Sequence, residues 1–311
     1  MKLNIYIISI LCLVSVNAKA QYDVSFSHYW AMEPSFNPAA VGKDSKLNIV
    51  GAYAIQMAGF ENNPKTMYAA ADMPFYALKS HHGVGLQFMN DAIGLFTHKR
   101  IGLQYAYQPE LLGGRLSIGV QLAMLSEKFD GSKAEVIDPD DPAITGSSVD
   151  GSAFDFGVGV YYRRRDWYAG FSVLHVTSPH VELGDKNQLD IAATYYLTGG
   201  YNIRLRNPFL SIQTSVLGRT DGVAWRGDLS GRVLYSHEKR NFYAGITYSP
   251  ATSVAVQVGG VIKGVKLGYS YEIYTSAMSV GNGSHEIFAG YQMDIDLHKK
   301  GRNLHKSVRI L

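Results

Sequence analysis

Ten histidines, an acidic run with prolines (Asp138-Pro139-Asp140-Asp141-Pro142) and one cysteine are the groups here with catalytic or metal-binding chemistry to offer. Their spacing does not support it. No HExxH pattern sets two imidazoles one helical turn apart for zinc, and no GxSxG element raises a serine on a nucleophile turn. His81-His82 falls in an expected turn. The acidic run has hard oxygen donors suited to Ca²⁺, but it lacks the spacing of a calcium loop, and its prolines suit an exposed turn. Cys12 lies in the apolar leader and leaves with it, so the mature chain has no thiolate nucleophile, disulfide or sulfur-ligated metal. The expectation is no catalytic residue, no metal and no cofactor. A docking surface is the better use of the polar residues. Basic clusters at Arg163-Arg164-Arg165, Arg204, Arg206, Lys239 and Arg240, with Lys299-Lys300 in the tail, are the candidate partner-binding residues. Such charges steer association and fix register more than they add affinity, and any one of them also reads as a solvated turn residue.

Those clusters sit between stretches in which apolar and polar side chains alternate. Val265, Leu267, Tyr269, Tyr271 and Ile273 interleave with Lys266, Gly268, Ser270 and Glu272. Leu116, Ile118, Val120, Leu122 and Met124 oppose Ser117, Gly119, Gln121 and Ala123. Period two is the signature of a strand with one greasy face. About fourteen such stretches are expected, near 46–57, 65–73, 83–90, 97–108, 114–125, 152–162, 166–175, 189–202, 208–218, 227–237, 241–249, 252–260, 264–274 and 284–295. Most run nine to twelve residues, the length of a tilted bilayer-crossing strand rather than the roughly five to six of soluble sheets. Short connections alternate with longer ones at 126–151, 176–188, 219–226 and 275–283. The fold class expected is all-β: an antiparallel transmembrane barrel of the outer-membrane type, with about fourteen strands and both termini on the short-turn, periplasmic side.

The first twenty residues fit an export signal: Lys2, the apolar run Ile5–Val16, and Ala18-Lys19-Ala20 before Gln21. No later segment approaches the roughly 20 apolar residues of a membrane-crossing helix. Setting aside Lys2 and Lys19 leaves 27 basic against 26 acidic side chains, with no global basic field for nucleic acid. Thirty-two glycines and twenty-one tyrosines suit a curved barrel with aromatic girdles. Tyr53, Tyr107, Trp167, Tyr168, Tyr235 and Tyr243 are expected in those girdles, while Tyr196, Arg232 and Tyr274 crowd the lumen. The domains are then a signal at 1–20, a periplasmic or plug segment at 21–45, the barrel at 46–296, and a basic periplasmic tail at 297–311.

The mature start, QYDVSFSHYWAMEPSFNPAAVG, resembles the N-terminus of the PorP/SprF family of type IX secretion outer-membrane proteins. The matching residues are Gln21, Asp23, Phe26-Ser27-His28-Tyr29, Asn37-Pro38-Ala39 and Gly42. Near the other end, Leu267-Gly268-Tyr269-Ser270-Tyr271-Glu272 resembles the family's LGYxYD strand, with Glu272 in place of Asp, and Gly283-Ser284-His285-Glu286-Ile287 its GSHEI strand start. The resemblance implies the outer membrane of a Gram-negative, Bacteroidetes-type bacterium and a non-enzymatic part in type IX secretion and gliding. It also implies as partners periplasmic ring and motor components, a peptidoglycan-binding lipoprotein, and exported cargo held at the surface. The alternative is a passive outer-membrane channel or a transporter of hydrophobic ligands, since the same alternation serves porins. Pro34 and Pro38 keep residues 21–42 out of regular strand or helix. This segment reads either as a plug or docking element or as an ordered lead-in to the barrel.

Overall fold

The computed structural model describes residues 22–133, 148–184, 187–238, 240–275 and 281–295. Fourteen antiparallel strands close into a barrel: β1 (Lys46–Ile55), β2 (Lys65–Ala77), β3 (Ser80–Ile93), β4 (Phe96–Gln108), β5 (Gly114–Asp130), β6 (Ser148–Arg164), β7 (Trp167–Leu174), β8 (Thr194–Arg204), β9 (Leu210–Thr220), β10 (Trp225–His237), β11 (Arg240–Ser249), β12 (Ser253–Ile262), β13 (Val265–Tyr274) and β14 (Ser284–Asp294). Each strand pairs with its sequence neighbours. The seam closes where β1 meets β14, from Lys46 opposite Asp294 to Ile55 opposite His285. The signal segment, Gln21, residues 134–147 with the acidic run, Lys239, and the tail with Lys299 and Lys300 lie outside the described residues.

Alternation sets which face meets lipid. Leu103, Leu197 and Phe154 are 61%, 65% and 69% exposed on the outer wall, whereas the inward Gln87, Gln121 and Gln257 are at most 2% exposed. A water-soluble sandwich would invert that order. In lipid it is required, because closure satisfies every ladder N–H and C=O inside the sheet. Most turns at one end are tight. Leu78-Lys79 takes positive φ at both positions (48° and 61°), as a two-residue hairpin turn demands, although neither residue advertises such a turn. This turn also corrects the placement of His81-His82, which begin β3.

Two expectations about length change. The stretches expected at 114–125 and 152–162 are the paired 17-residue strands β5 and β6. Their extension consumes much of the loop expected at 126–151. The outer face turns polar there (Ser126, Lys128, Asp150, Ser152), which hides the period although the pairing continues from Glu127–Gly151 to Asp130–Ser148. The strand expected from 189 starts at Thr194. Residues His180–Leu183 and Asn187–Asp190 instead form a small hairpin that folds over the long-loop mouth, where Val181, Leu183 and Ile191 pack on the inward Leu125. Two girdle residues are also reassigned. Tyr53, Tyr107, Trp167 and Tyr235 face outward, but Tyr168 and Tyr243 fall on the inward phase of their strands and pack on Tyr161 and Trp30.

Replacing Leu103 with Arg puts a charge on the lipid face midway along β4, opposite Leu86 and Leu122. Unfolding from lipid vesicles should show a loss of about 2–4 kcal/mol, while Leu112→Arg in the exposed turn should leave stability unchanged.

Candidate functional site

Residues 22–45 run through the lumen from the long-loop end to the short-turn end, then turn into β1. Three short 3₁₀ turns, Tyr29–Ala31, Glu33–Ser35 and Pro38–Ala40, shape the path. A segment with two prolines and no ladder partner must find its hydrogen bonds elsewhere, and the inward wall supplies them. Glu286 of β14 accepts from the amides of Ser27 (2.7 Å) and His28 (3.0 Å) and contacts His28 Nδ1 at 2.6 Å. Gln257 donates to Ser27 O at 2.5 Å and accepts from Trp30 Nε1 at 3.2 Å. Gln104, Gln108, Ser117 and Ser172 donate to the carbonyls of Pro34, Val41, Ala39 and Phe36 at 2.6–2.7 Å.

The motif residues each have a place in this fit. Asn37 caps the third turn by accepting from Ala39 N (2.9 Å), and its amide reaches Val160 O (3.3 Å). The wall opposite is glycine because nothing larger fits: a Cβ on Gly119 would stand 2.3 Å from Ala39 N, and one on Gly159 2.2 Å from Asn37 Oδ1. Phe26 packs with Tyr68, Met32 and Phe288, while Phe36 stacks on Tyr196 beside Tyr29. Tyr29 Oη donates to Ser215 at 3.1 Å.

Asp23 anchors the far end. Its carboxylate accepts from Tyr196 Oη (2.6 Å) and Arg100 Nη1 (3.1 Å), with His175 Nε2 at 3.3 Å. Arg219 donates to the carbonyls of Asp23 and Val24 (both 2.9 Å) and to Ser25 Oγ. His175 Nδ1 stands 3.1 Å from Asp155, an ionic contact without hydrogen-bond geometry. Burial opposes charge on Asp23, but His175 and Arg100 outweigh it and hold the carboxyl far below the usual carboxylate range. Burial likewise opposes His175, yet Asp23 and Asp155 override it and lift the imidazole to about 9. At neutral pH the pair is therefore ionised on both sides. At the other end, Lys43 meets Glu33, and Arg163 donates to Asp44 (2.9 Å) and Lys43 O (2.5 Å).

The basic docking candidates divide accordingly. Arg163 is corrected: it falls on the inward phase of β6 and pins the lumen segment. Arg204 bonds Asp166 at 2.8 Å, and Arg165 lies 3.8 Å from the same carboxylate. Arg164, Arg206 and Arg240 are exposed at the short-turn rim. Arg232 and Tyr196 are lumen residues, and Tyr274 bonds Ser284 at 2.7 Å. Both chain ends were expected at the short-turn side. Asp294 lies there, but Tyr22 reaches the opposite end and bonds Glu127 at 2.5 Å. Sequence reasoning missed the wall partners Arg100, Arg219, Glu286 and Asp155. The available signal was charge on the inward phase of their strands.

A family description, type IX secretion system membrane protein PorP/SprF, matches residues 18–291. The chain belongs to the PorP/SprF family. Among solved structures it is similar to the CymD monoaromatic hydrocarbon channel, at 10% identity and TM-score 0.53 over 88% of this chain and 95% of that one. A Pseudomonas aeruginosa FadL homologue aligns at 12% identity and TM-score 0.48, over 84% and 93%. No curated protein matches the sequence. At these identities the likeness to solved structures speaks for the outer-membrane barrel fold and nothing finer.

Valine at Gly119 must displace the Pro38-Ala39 backbone. Limited proteolysis should then cut within residues 22–45 of a barrel that still shows heat-modifiable mobility. Gly231→Ala, which meets nothing within 4 Å, should behave as wild type.

For pH, a raised histidine pKa stabilises fully below the unfolded value of 6.5 and is lost as pH rises through about 9. A depressed Asp23 stabilises above 3.8 and is lost on acidification. Unfolding free energy should therefore fall by on the order of 3 kcal/mol as pH rises from 6.5 through about 9. His175→Gln should flatten that limb.

Proposed function

We propose that this protein is a non-enzymatic, self-plugged barrel that anchors the periplasmic type IX secretion machinery to the outer membrane. One observation carries the reading: residues 22–45 traverse the lumen from end to end and are bonded along their length by the wall. A passive conduit leaves a water-filled or ligand-shaped path, whereas here the wall is glycine where the segment passes and amide or charge where its backbone needs partners. With the short-turn end in the periplasm, the exposed rim of Arg164, Arg206 and Arg240 faces the ring and motor components and the peptidoglycan-binding lipoprotein that family membership suggests. The long strands β5 and β6 project from the other end, where exported cargo would be held. Both extents follow from geometry: 17 residues at about 3.3 Å each exceed what a tilted crossing requires.

Charge of this kind acts through association rate and register, so its loss should be salt-sensitive. Reversal of Arg164, Arg206 and Arg240 to Glu together should leave an inserted barrel. Co-purification with the periplasmic secretion proteins should drop at low salt, and the difference from wild type should narrow as salt rises. An unchanged yield of complex would count against docking at this rim, and a steady large conductance of the wild-type protein in planar bilayers would favour the channel reading instead.

A further inference from the structure

Arg232 is a buried inward arginine left without an acceptor among the described residues. It projects from β10 at the short-turn half of the lumen, is 7% exposed, and lies over the ring of Trp30 at 3.6 Å. Among the described residues no carboxylate pairs with it, and its Nε is buried with no hydrogen-bond partner. Its counterparts Arg100, Arg219, Arg163 and Arg226 are each engaged by the lumen segment or by wall carboxylates. A buried charge without a counter-charge is costly, and five planar donors match a carboxylate.

The geometry around it has the form of a site. Arg232 borders a cavity of about 440 Å³ between the lumen segment and the surrounding wall in the short-turn half of the barrel. Tyr243, on the adjacent strand, also lines it and holds a second buried polar atom with no partner, its hydroxyl. Lys266 stands half-buried at the rim with no ion pair among the described residues. The acidic residues lining the cavity are already occupied: Glu33 by Lys43, Asp44 by Arg163, and Asp72 by the amide of Gly42 at 2.8 Å. The vacant chemistry is therefore anionic. Gln213 and Asn241 bring amides to the cavity, and Trp30 and Tyr168 bring flat aromatic faces. A hydrocarbon tail would strand those amides, whereas a peptide backbone would pair with them.

We propose that this cavity is a receptor site for a carboxylate-bearing peptide segment entering from the short-turn end, with the carboxylate on Arg232 and an apolar or aromatic residue against Trp30. This deepens the docking role and rests on it for the identity of the donor chain, but not for the chemistry of the site.

Trp30 can report occupancy alone once the outward-facing Trp167 and Trp225 are replaced by Phe. In detergent solution, acetyl-Phe-Gly-Glu with a free C-terminus should change Trp30 fluorescence saturably. Acetyl-Phe-Gly-Gln-amide should bind at least about tenfold more weakly, the size of one charged hydrogen-bonded pair. Arg232→Gln should abolish that difference. Lys266→Gln should weaken the acidic peptide a few-fold and reduce its salt dependence. Equal affinity for the two peptides, discrimination that survives Arg232→Gln, or no saturable response to either would overturn the proposal. Octanoate displacing the peptide at lower concentration would reassign the site to amphiphiles. Should Arg232→Gln fail to fold, the comparison of peptides on the wild-type wall decides. No secretion partner is present in this assay, so its failure and a failure of docking in cells are separate results.

Discussion

The seam between β1 and β14 is the constraint from which the rest follows. Joining the first and last strands removes the open edges of the sheet, which lipid would not tolerate. A closed wall surrounded by hydrocarbon turns its apolar phase outward, so its inner phase is polar. Fourteen inward phases of Gln, Ser, Thr, Arg and acid then need partners, and water or chain must provide them. This protein uses its own residues 22–45. The ion cluster around Asp23, the glutamines that hold the carbonyls of Ser27, Pro34 and Val41, and the small wall residues are one arrangement meeting that need.

The fold was legible because period two is a direct record of which face each side chain takes. It failed where the outer face turned polar, at the tips of β5 and β6, and where a loop hairpin read as a strand extension at Asn187–Asp190. The site was half legible. Asp23, Ser27, Asn37 and Pro38 stood out as parts of a motif, but the partners of Asp23 and Ser27 lie far along the chain, at Arg100, His175, Arg219 and Glu286. Arg100, His175 and Arg219 are unremarkable where they stand in the sequence, and only closure of the barrel brings them together. Arg163 was misread for a related reason: a triplet of arginines looks like a patch, yet the strand phase sends its first member inward.

The two stretches that carry the family resemblance prove to be halves of one contact. Glu286, from the strand start at Gly283-Ser284-His285-Glu286-Ile287, receives the amides of Ser27 and His28 from the opening motif. Asn37 and Ala39 meet Gly159 and Gly119 in the same manner. Residue types that seem unrelated along the chain answer a single packing requirement, in which a bulky, proline-bearing thread needs a thin wall and a carboxylate at the right height.

That thread bears on biogenesis. Because residues 22–45 continue without interruption into β1, and the wall grips them at both ends and in the middle, they have little room to be fed end-on into a finished cylinder. Lateral loading while β1 and β14 are still apart avoids the obstacle. Insertion into the membrane would then end with the first and last strands meeting around a filler already in position, and the sealed product would never have passed through an open-pore stage.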